Sequence, residues 1–342
     1  MAVIQVDNLR KEFKRNKSRE GLWNNVKGLV YREYETKTAV DDISFTIDKG
    51  EIVGYIGPNG AGKSTSIKML VGILVPTSGR VIVNGIEPYK NRELNAMRIG
   101  AVFGQKTQLW WDTPVIDSLR LMRYMYDIPP ARFNENMERF TDILGLDEFK
   151  HVAVRQLSLG QRMRADLCAA LLHDPDIIYL DEPTIGLDVV VKEKIRNFIL
   201  EINRDRGTTV ILTTHDMSDI EKLCSRVMVI DQGKLMYDGN LEQLKSDFGS
   251  GERMVVETDR IFESSQELNE LGVTSCSVDG KKTQLIYDKK RINSSMLIKW
   301  IMDRYDVKDF VVKETDIEEI IRTMYGERLP LEAAADRERV FV

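Results

Sequence analysis

The sequence predicts an α/β domain with an inserted helical subdomain, followed by a small α+β domain of ferredoxin-like plan. Three observations predict it. Over residues 1–247, short apolar runs alternate with longer amphipathic stretches, as expected for helices packed on a largely parallel sheet. A glycine-rich stretch at residues 57–65 joins one such run to a helix-like stretch. From residue 252 the elements change order to β-α-β-β-α-β, which is the ferredoxin-like plan.

In chain order, strands are expected at residues 3–6, 42–47, 52–56, 80–83, 100–102, 177–180, 208–213 and 227–230. The run at 52–56 is apolar without alternation and so reads as a buried strand. A helix is expected at 64–74. Between residues 107 and 172 the strand signals disappear, while 133–144 and 161–172 have helical spacing. This part is predicted to be the inserted helical subdomain. Residues 14–37 interrupt two strands. Leu22, Trp23, Val26, Leu29 and Val30 fall on one helical face there, beside Lys17, Arg19, Lys27 and Arg32. Such a basic amphipathic helix lies at a membrane surface or on a membrane partner, or else covers the protein's own sheet.

In the second domain, strands are expected at 254–257, 273–278, 283–287 and 307–312, and helices at 262–271 and 293–305. Asp279-Gly280 supplies a hairpin turn. A further helix is expected at 316–325 and a loosely ordered tail at 327–342. The expected domains are therefore 1–247 and 252–326.

The 342 residues are 42% hydrophobic and 30% charged, ordinary for a globular protein. A formal net charge of −5 leaves no basic footprint, so no nucleic-acid partner is expected. Cys168, Cys224 and Cys276 have no metal-ligand or disulfide spacing and read as packed thiols of a reducing compartment. The opening Met1-Ala2-Val3-Ile4-Gln5-Val6 alternates like a strand and lacks the pattern of a signal peptide. No apolar run approaches the roughly 18–20 residues that span a bilayer. A cytoplasmic chain is expected, with any membrane role exercised through partners.

Gly57-Pro58-Asn59-Gly60-Ala61-Gly62-Lys63-Ser64-Thr65 fits G-x-x-x-x-G-K-[ST], a loop that wraps nucleotide phosphates. Glycines let successive N–H groups turn toward one anionic centre. Lys63 adds positive charge for the β- and γ-phosphates, and the Ser64 hydroxyl completes a Mg²⁺ shell. The following helix points its free N–H groups at the same place. Ile177-Ile178-Tyr179-Leu180 is an apolar strand ending in Asp181 and Glu182. Asp181 is expected beside the Ser64–Mg²⁺ site, and Glu182 is expected to polarise the attacking water as general base. Leu157-Ser158-Leu159-Gly160-Gln161 precedes the helix that leads into that strand, so Ser158 and Gly160 sit at an anion-binding helix terminus. About twelve helical residues at 1.5 Å each keep this terminus roughly 18 Å from the catalytic strand. Ser158 is therefore expected to meet the phosphate of a second copy related by a two-fold axis.

These residues, in this order, resemble the ATP-binding cassette (ABC) ATPases over residues 1–245. The resemblance implies ATP and Mg²⁺ as cofactors. It implies that Gln105, in Phe103-Gly104-Gln105, senses Mg²⁺ and the permease. Ser158, Gly160 and Gln161 match the signature motif, although Leu159 stands where the family usually has glycine. Gly186-Leu187-Asp188 looks like the loop coupling two ATP sites. His215, in Thr213-Thr214-His215-Asp216, looks like the switch histidine that contacts the γ-phosphate. Phe13, after Leu9-Arg10-Lys11-Glu12, is the candidate for stacking on adenine, with Tyr31 and Tyr34 as alternatives.

The stretch Gln105-Lys106-Thr107-Gln108-Leu109-Trp110-Trp111-Asp112 is similar to bacterial exporter ATPases that serve separate type-2-class permeases. Trp110 and Trp111 then either form a permease-docking groove or pack the helical subdomain. The implied function is an ATPase subunit that pairs with its twin at the cytoplasmic face of the membrane. A rival reading is a soluble ABC ATPase acting on ribosomes or DNA. A single cassette, with neither a heptad run nor a basic patch, argues against it. The second domain reads as a dimer-stabilising element or a small-molecule sensor.

Overall fold

Isoleucine, valine and leucine dominate the short runs at residues 52–56, 177–181 and 209–213, and these strands are buried over nearly their whole length. Burial on both faces requires cover on both faces, the usual condition of parallel strands. The computed structural model describes residues 1–16, 34–104, 106–248, 251–262, 266–289, 291–313 and 317–326. The helix expected within 17–33, Gln105 and the tail 327–342 lie outside the described residues.

The chain divides into two units after Leu241. The first contains β1 (Ala2–Asn16), β2 (Tyr34–Asp48), β3 (Ile52–Ile56), α1 (Lys63–Leu70), β4 (Ser78–Val83), α2 (Arg92–Ala96) and β5 (Ile99–Phe103). There follow α3 (Val115–Met125), α4 (Pro130–Leu144) and α5 (Leu159–Leu171). The unit closes with β6 (Ile177–Asp181), α6 (Val189–Arg206), β7 (Thr209–Thr213), α7 (Met217–Leu223), β8 (Arg226–Asp231) and β9 (Lys234–Asn240).

Two sheets result. A three-stranded antiparallel sheet has the order β2-β1-β4. A six-stranded sheet has the order β5-β6-β7-β3-β8-β9, parallel except for β9. The register sets Phe103 and Thr213 on either side of Asp181. Between β5 and β6 the described residues form helices and turns and no strand beyond isolated bridges.

Two differences from expectation have local causes. Residues 14–16 and 34–37 belong to strands, because β1 and β2 continue pairing through bulges as far as Asn16 and Tyr34. The unanticipated β9 follows a tight turn in which Gln232 and Gly233 both have positive φ, 46° and 80°. That geometry suits a two-residue hairpin. Asp238 and Gly239 interrupt its apolar pattern and conceal it.

The second unit contains β10 (Glu252–Thr258), α9 (Gln266–Leu271), β11 (Val273–Asp279), β12 (Lys282–Tyr287), α10 (Ser294–Met302), β13 (Val307–Lys313) and α11 (Ile317–Gly326), preceded by α8 (Leu241–Phe248). Its sheet has the order β11-β12-β10-β13, with every neighbour antiparallel. Met254, Val256, Leu285 and Tyr287 form the core with Leu268, Leu297 and Ile301. Among the described residues no helix is long and apolar enough to cross a membrane.

Candidate functional site

The glycine-rich loop leaves the end of β3 and is hemmed in by backbone. A Cβ on Gly57 would stand 2.3 Å from the Ile230 carbonyl oxygen. One on Gly62, whose φ is +108°, would stand 2.4 Å from the Ala39 carbonyl oxygen. Neither neighbour can yield, so both positions need glycine. Ala61 is buried, and its carbonyl accepts from Gly233 N at 2.9 Å. Lys63 opens α1 and is only 7% exposed. Its Nζ donates to Gly57 O at 2.5 Å and to Pro58 O at 3.2 Å. Burial pushes its pKa down, while Glu182 and Asp181 oppose that shift. The loop thus curls around a cation that faces two carboxylates.

These groups open onto one cleft of about 610 Å³. Pro58, Asn59, Gly60, Gly62, Lys63, Ser64 and Thr65 line it from the loop, and Asp181, Glu182 and His215 from the strand ends. Phe13 also lines it and is 41% exposed. Lys11 Nζ lies 5.3 Å from the Phe13 ring centre. Lys37 and Ile185, which the sequence did not single out, also border the cleft.

Ser64 Oγ lies 3.3 Å from Asp181 Oδ2. Asp181 Oδ1 accepts a hydrogen bond from the Thr213 hydroxyl, which fixes the carboxylate plane. A carboxylate and a hydroxyl are hard oxygen donors of the kind Mg²⁺ takes, with water and phosphate completing its shell. Among the described residues no cluster of three or more His, Cys, Asp or Glu could cage a metal ion. Glu182 has φ +57°, an uncommon conformation for a glutamate and one that favours a functional explanation. Its Oε1 lies 3.2 Å from His215 Nε2, and Oε2 accepts from His215 N at 3.4 Å. Burial raises the Glu182 pKa above the usual glutamate range, and His215 works against it.

A buried network steadies both carriers. Asp219, fully buried, accepts from Arg196 Nε at 2.6 Å and from the Thr184 hydroxyl. The segment after Glu182 is thereby tied to the helix after His215. Sequence patterns give no signal for this network, because it joins residues from three separate elements.

Ser158, Gly160, Gln161 and Asp188 do not line the cleft. Ser158 caps α5 through a reciprocal capping box. Gln161 N donates to Ser158 Oγ at 3.2 Å, and Ser158 N donates to Gln161 Oε1 at 3.0 Å. Leu159 begins the helix and is not among the positive-φ residues, so leucine causes no backbone strain there. A Cβ on Gly160 would make ordinary contact with Val191. Asp188 caps α6, accepting from Val191 N at 2.9 Å. Gln105 lies outside the described residues, but Gly104 N, just before it, donates to Asp181 O at 2.8 Å. Trp110 and Trp111 are 39% and 48% exposed, and Arg162 stacks 4.8 Å from the Trp111 ring centre.

Asp166, on α5, accepts from the Thr107 hydroxyl at 2.8 Å and from Gln108 N at 3.1 Å. Burial pushes its pKa up to about 6. The folded chain therefore holds a proton that the unfolded chain releases near the usual aspartate value. Stability from this group is complete below that value and is lost as pH rises through about 6. Asp166→Asn keeps an acceptor for both donors. Its stability advantage over wild type is expected to be about 1 kcal/mol larger at pH 8 than at pH 5. Urea-unfolding midpoints at the two pH values check this.

A family model described as ABC transporter matches residues 40–185. The ABC transporter ATP-binding protein NatA of Bacillus subtilis is 35% identical over 206 residues, covering 60% of this chain and 83% of that protein. The methionine import ATP-binding protein MetN of Haemophilus influenzae is 36% identical over 225 residues, covering 65% of each. A solved dimeric structure of a bacterial ABC transporter cassette is 25% identical, with a TM-score of 0.57, and covers 70% of this chain and 98% of that one.

Proposed function

Since the chain belongs to the ATP-binding proteins of ABC transporters and is an ATP-binding ATPase, we propose that it powers a bacterial exporter as a pair of copies joined to separate membrane permeases. The observation that carries this reading is the division of its motifs. Lys63, Ser64, Asp181, Glu182 and His215 share one cleft, and Ser158, Gly160, Gln161 and Asp188 stand outside it. A second copy, turned by a two-fold axis, brings the missing groups to each ATP.

In this reading Phe13 stacks on adenine and the loop 57–65 wraps the phosphates. Lys63 neutralises charge that grows on the transferred phosphoryl group. Ser64, Asp181 and Gln105 would hold Mg²⁺, which would supply positive charge at the phosphate oxygens. Glu182 takes a proton from the attacking water. His215 contacts the γ-phosphate and is oriented by its bond to Glu182. The paired state depends on contacts made only while that phosphate is present, so hydrolysis releases it. The permease subunits hold the pair at the cytoplasmic face of the membrane and convert its closure into transport.

Export is the direction favoured by the Gln105–Asp112 stretch, whose two exposed tryptophans suit docking of a permease. An import-named relative matches with similar identity, so direction calls for its own test. Accumulation of cargo inside inverted vesicles supports export, and ATP-driven depletion from them refutes it. Trp110→Ala with Trp111→Ala is expected to leave ATPase activity of the purified chain unchanged. The same pair of changes should lower recovery of the membrane complex at least about tenfold. Undiminished recovery, or co-sedimentation with ribosomes in place of membrane proteins, rejects the reading.

A further inference from the structure

Among the described residues, strand β13 forms one edge of the second unit's sheet, hydrogen-bonded to β10 on one side only. Residues 308–313 are all exposed, including three consecutive apolar ones, Phe310, Val311 and Val312, at 42%, 46% and 37%. The unpaired N–H and C=O groups of such an edge offer a ready template for another strand, and Lys308, Asp309 and Lys313 restrict which strand fits. Its charges are also mismatched at home. Asp309 lies opposite Glu257, and Lys313 lies opposite Arg253. Like charges across a strand pair are unfavourable. Glu257 and Arg253 find Lys282 and Glu319 instead. Among the described residues Asp309 and Lys313 have no ion-pair partner.

We propose that β13 pairs antiparallel with β13 of a second copy about a two-fold axis through Val311, joining the two sheets into one. This register sets Asp309 against Lys313 of the second copy, twice by symmetry, and Phe310 against Val312. Opposed side chains of an antiparallel pair share a face, so the axis must pass through a residue and shifts only by whole residues. Moving it one residue toward Phe310 would leave Asp309 and Lys313 facing Val311 and Val307, and moving it one residue toward Val312 would set Lys313 against Val311. Only the Val311 axis satisfies both charges and seals the apolar run. The proposal rests on the reading that the chain works as two copies, but it uses a surface remote from the ATP-binding residues in sequence.

The test uses the full chain with Cys276→Ser, since Cys168 and Cys224 are buried. Directly opposed residues of an antiparallel pair have Cα atoms about 4.5–5.5 Å apart, within reach of a disulfide. Val311→Cys is therefore expected to link most of the chain into dimers under mild oxidation without nucleotide, and Lys308→Cys is not. Asp309→Lys or Lys313→Asp alone should weaken dimerisation about tenfold by opposing like charges. The two together should restore it. Each reversal also removes a like-charge pair within its own sheet, so misfolding does not explain a loss.

Absence of the Val311→Cys link, equal linking by Lys308→Cys, or single reversals without effect each overturn the proposal. So does a link formed only to a different protein in whole cells, which would give the edge to a partner's strand. If ATP still assembles a Glu182→Gln pair while Val311→Cys fails to link, the edge proposal alone falls. The converse result retains the edge and removes the ATP-driven pair.

Discussion

Replacing Glu182 with glutamine is expected to cut ATP turnover by about 10²–10⁴-fold, the range for loss of a positioned base, while ATP binding persists. Glutamine keeps the shape and can still accept from His215 N, which lies 3.4 Å from Glu182 Oε2. It cannot take a proton from water. The wild-type carboxylate is suited to that task because burial raises its pKa and so its hunger for a proton. Neutralising a partly buried charge also removes a desolvation cost, so the variant should fold at least as well as wild type. ATP-bound pairs should then accumulate, since the step that dissolves them is blocked. Turnover assays with size-exclusion chromatography at saturating ATP check both parts, and unchanged turnover removes Glu182 from the mechanism.

The second large effect comes from mixing two inactive chains. Lys63→Ala removes the cation that the loop encloses, and each copy should lose turnover. Ser158→Asp keeps a helix cap of equal quality but sets a carboxylate where the partner's phosphate is expected. It too should be inactive, with melting behaviour near that of wild type. Combined in equal amounts, half the pairs are mixed, and each mixed pair holds one complete centre, so roughly a quarter of wild-type turnover should return. No recovery means that each centre is contained in one chain and that Ser158 acts only as a cap.

The site was legible in the sequence where chemistry is local. Gly57, Gly62 and Lys63 follow a fixed spacing because the backbone must bend around phosphates, and the structure crowds both glycines with carbonyl oxygens. Asp181 and Glu182 were readable as the end of an apolar strand. The rise of a helix predicts that Ser158 stands apart from them, and Ser158 is not among the residues lining their cleft. Strand neighbours were not readable. That Thr213 steadies Asp181 depends on the register of β6 and β7, which no local pattern encodes. The left-handed backbone at Glu182 was hidden as well, since glutamate, unlike glycine, does not advertise it. The hairpin of β1 and β2 continues past its apolar core into polar residues held by backbone pairing, so hydrophobic periodicity stopped short of its true end.

The register of β6 has one more consequence. Phe103, Asp181 and Thr213 stand abreast across three parallel strands, and side chains alternate between the sheet's faces residue by residue. Deleting any one residue from Ile177–Leu180 would slide the acidic pair by about 3.3 Å and exchange which of the two points toward Ser64. Point substitutions of similar bulk leave that alignment intact, so this strand should drift freely in composition across descendants while its length stays frozen.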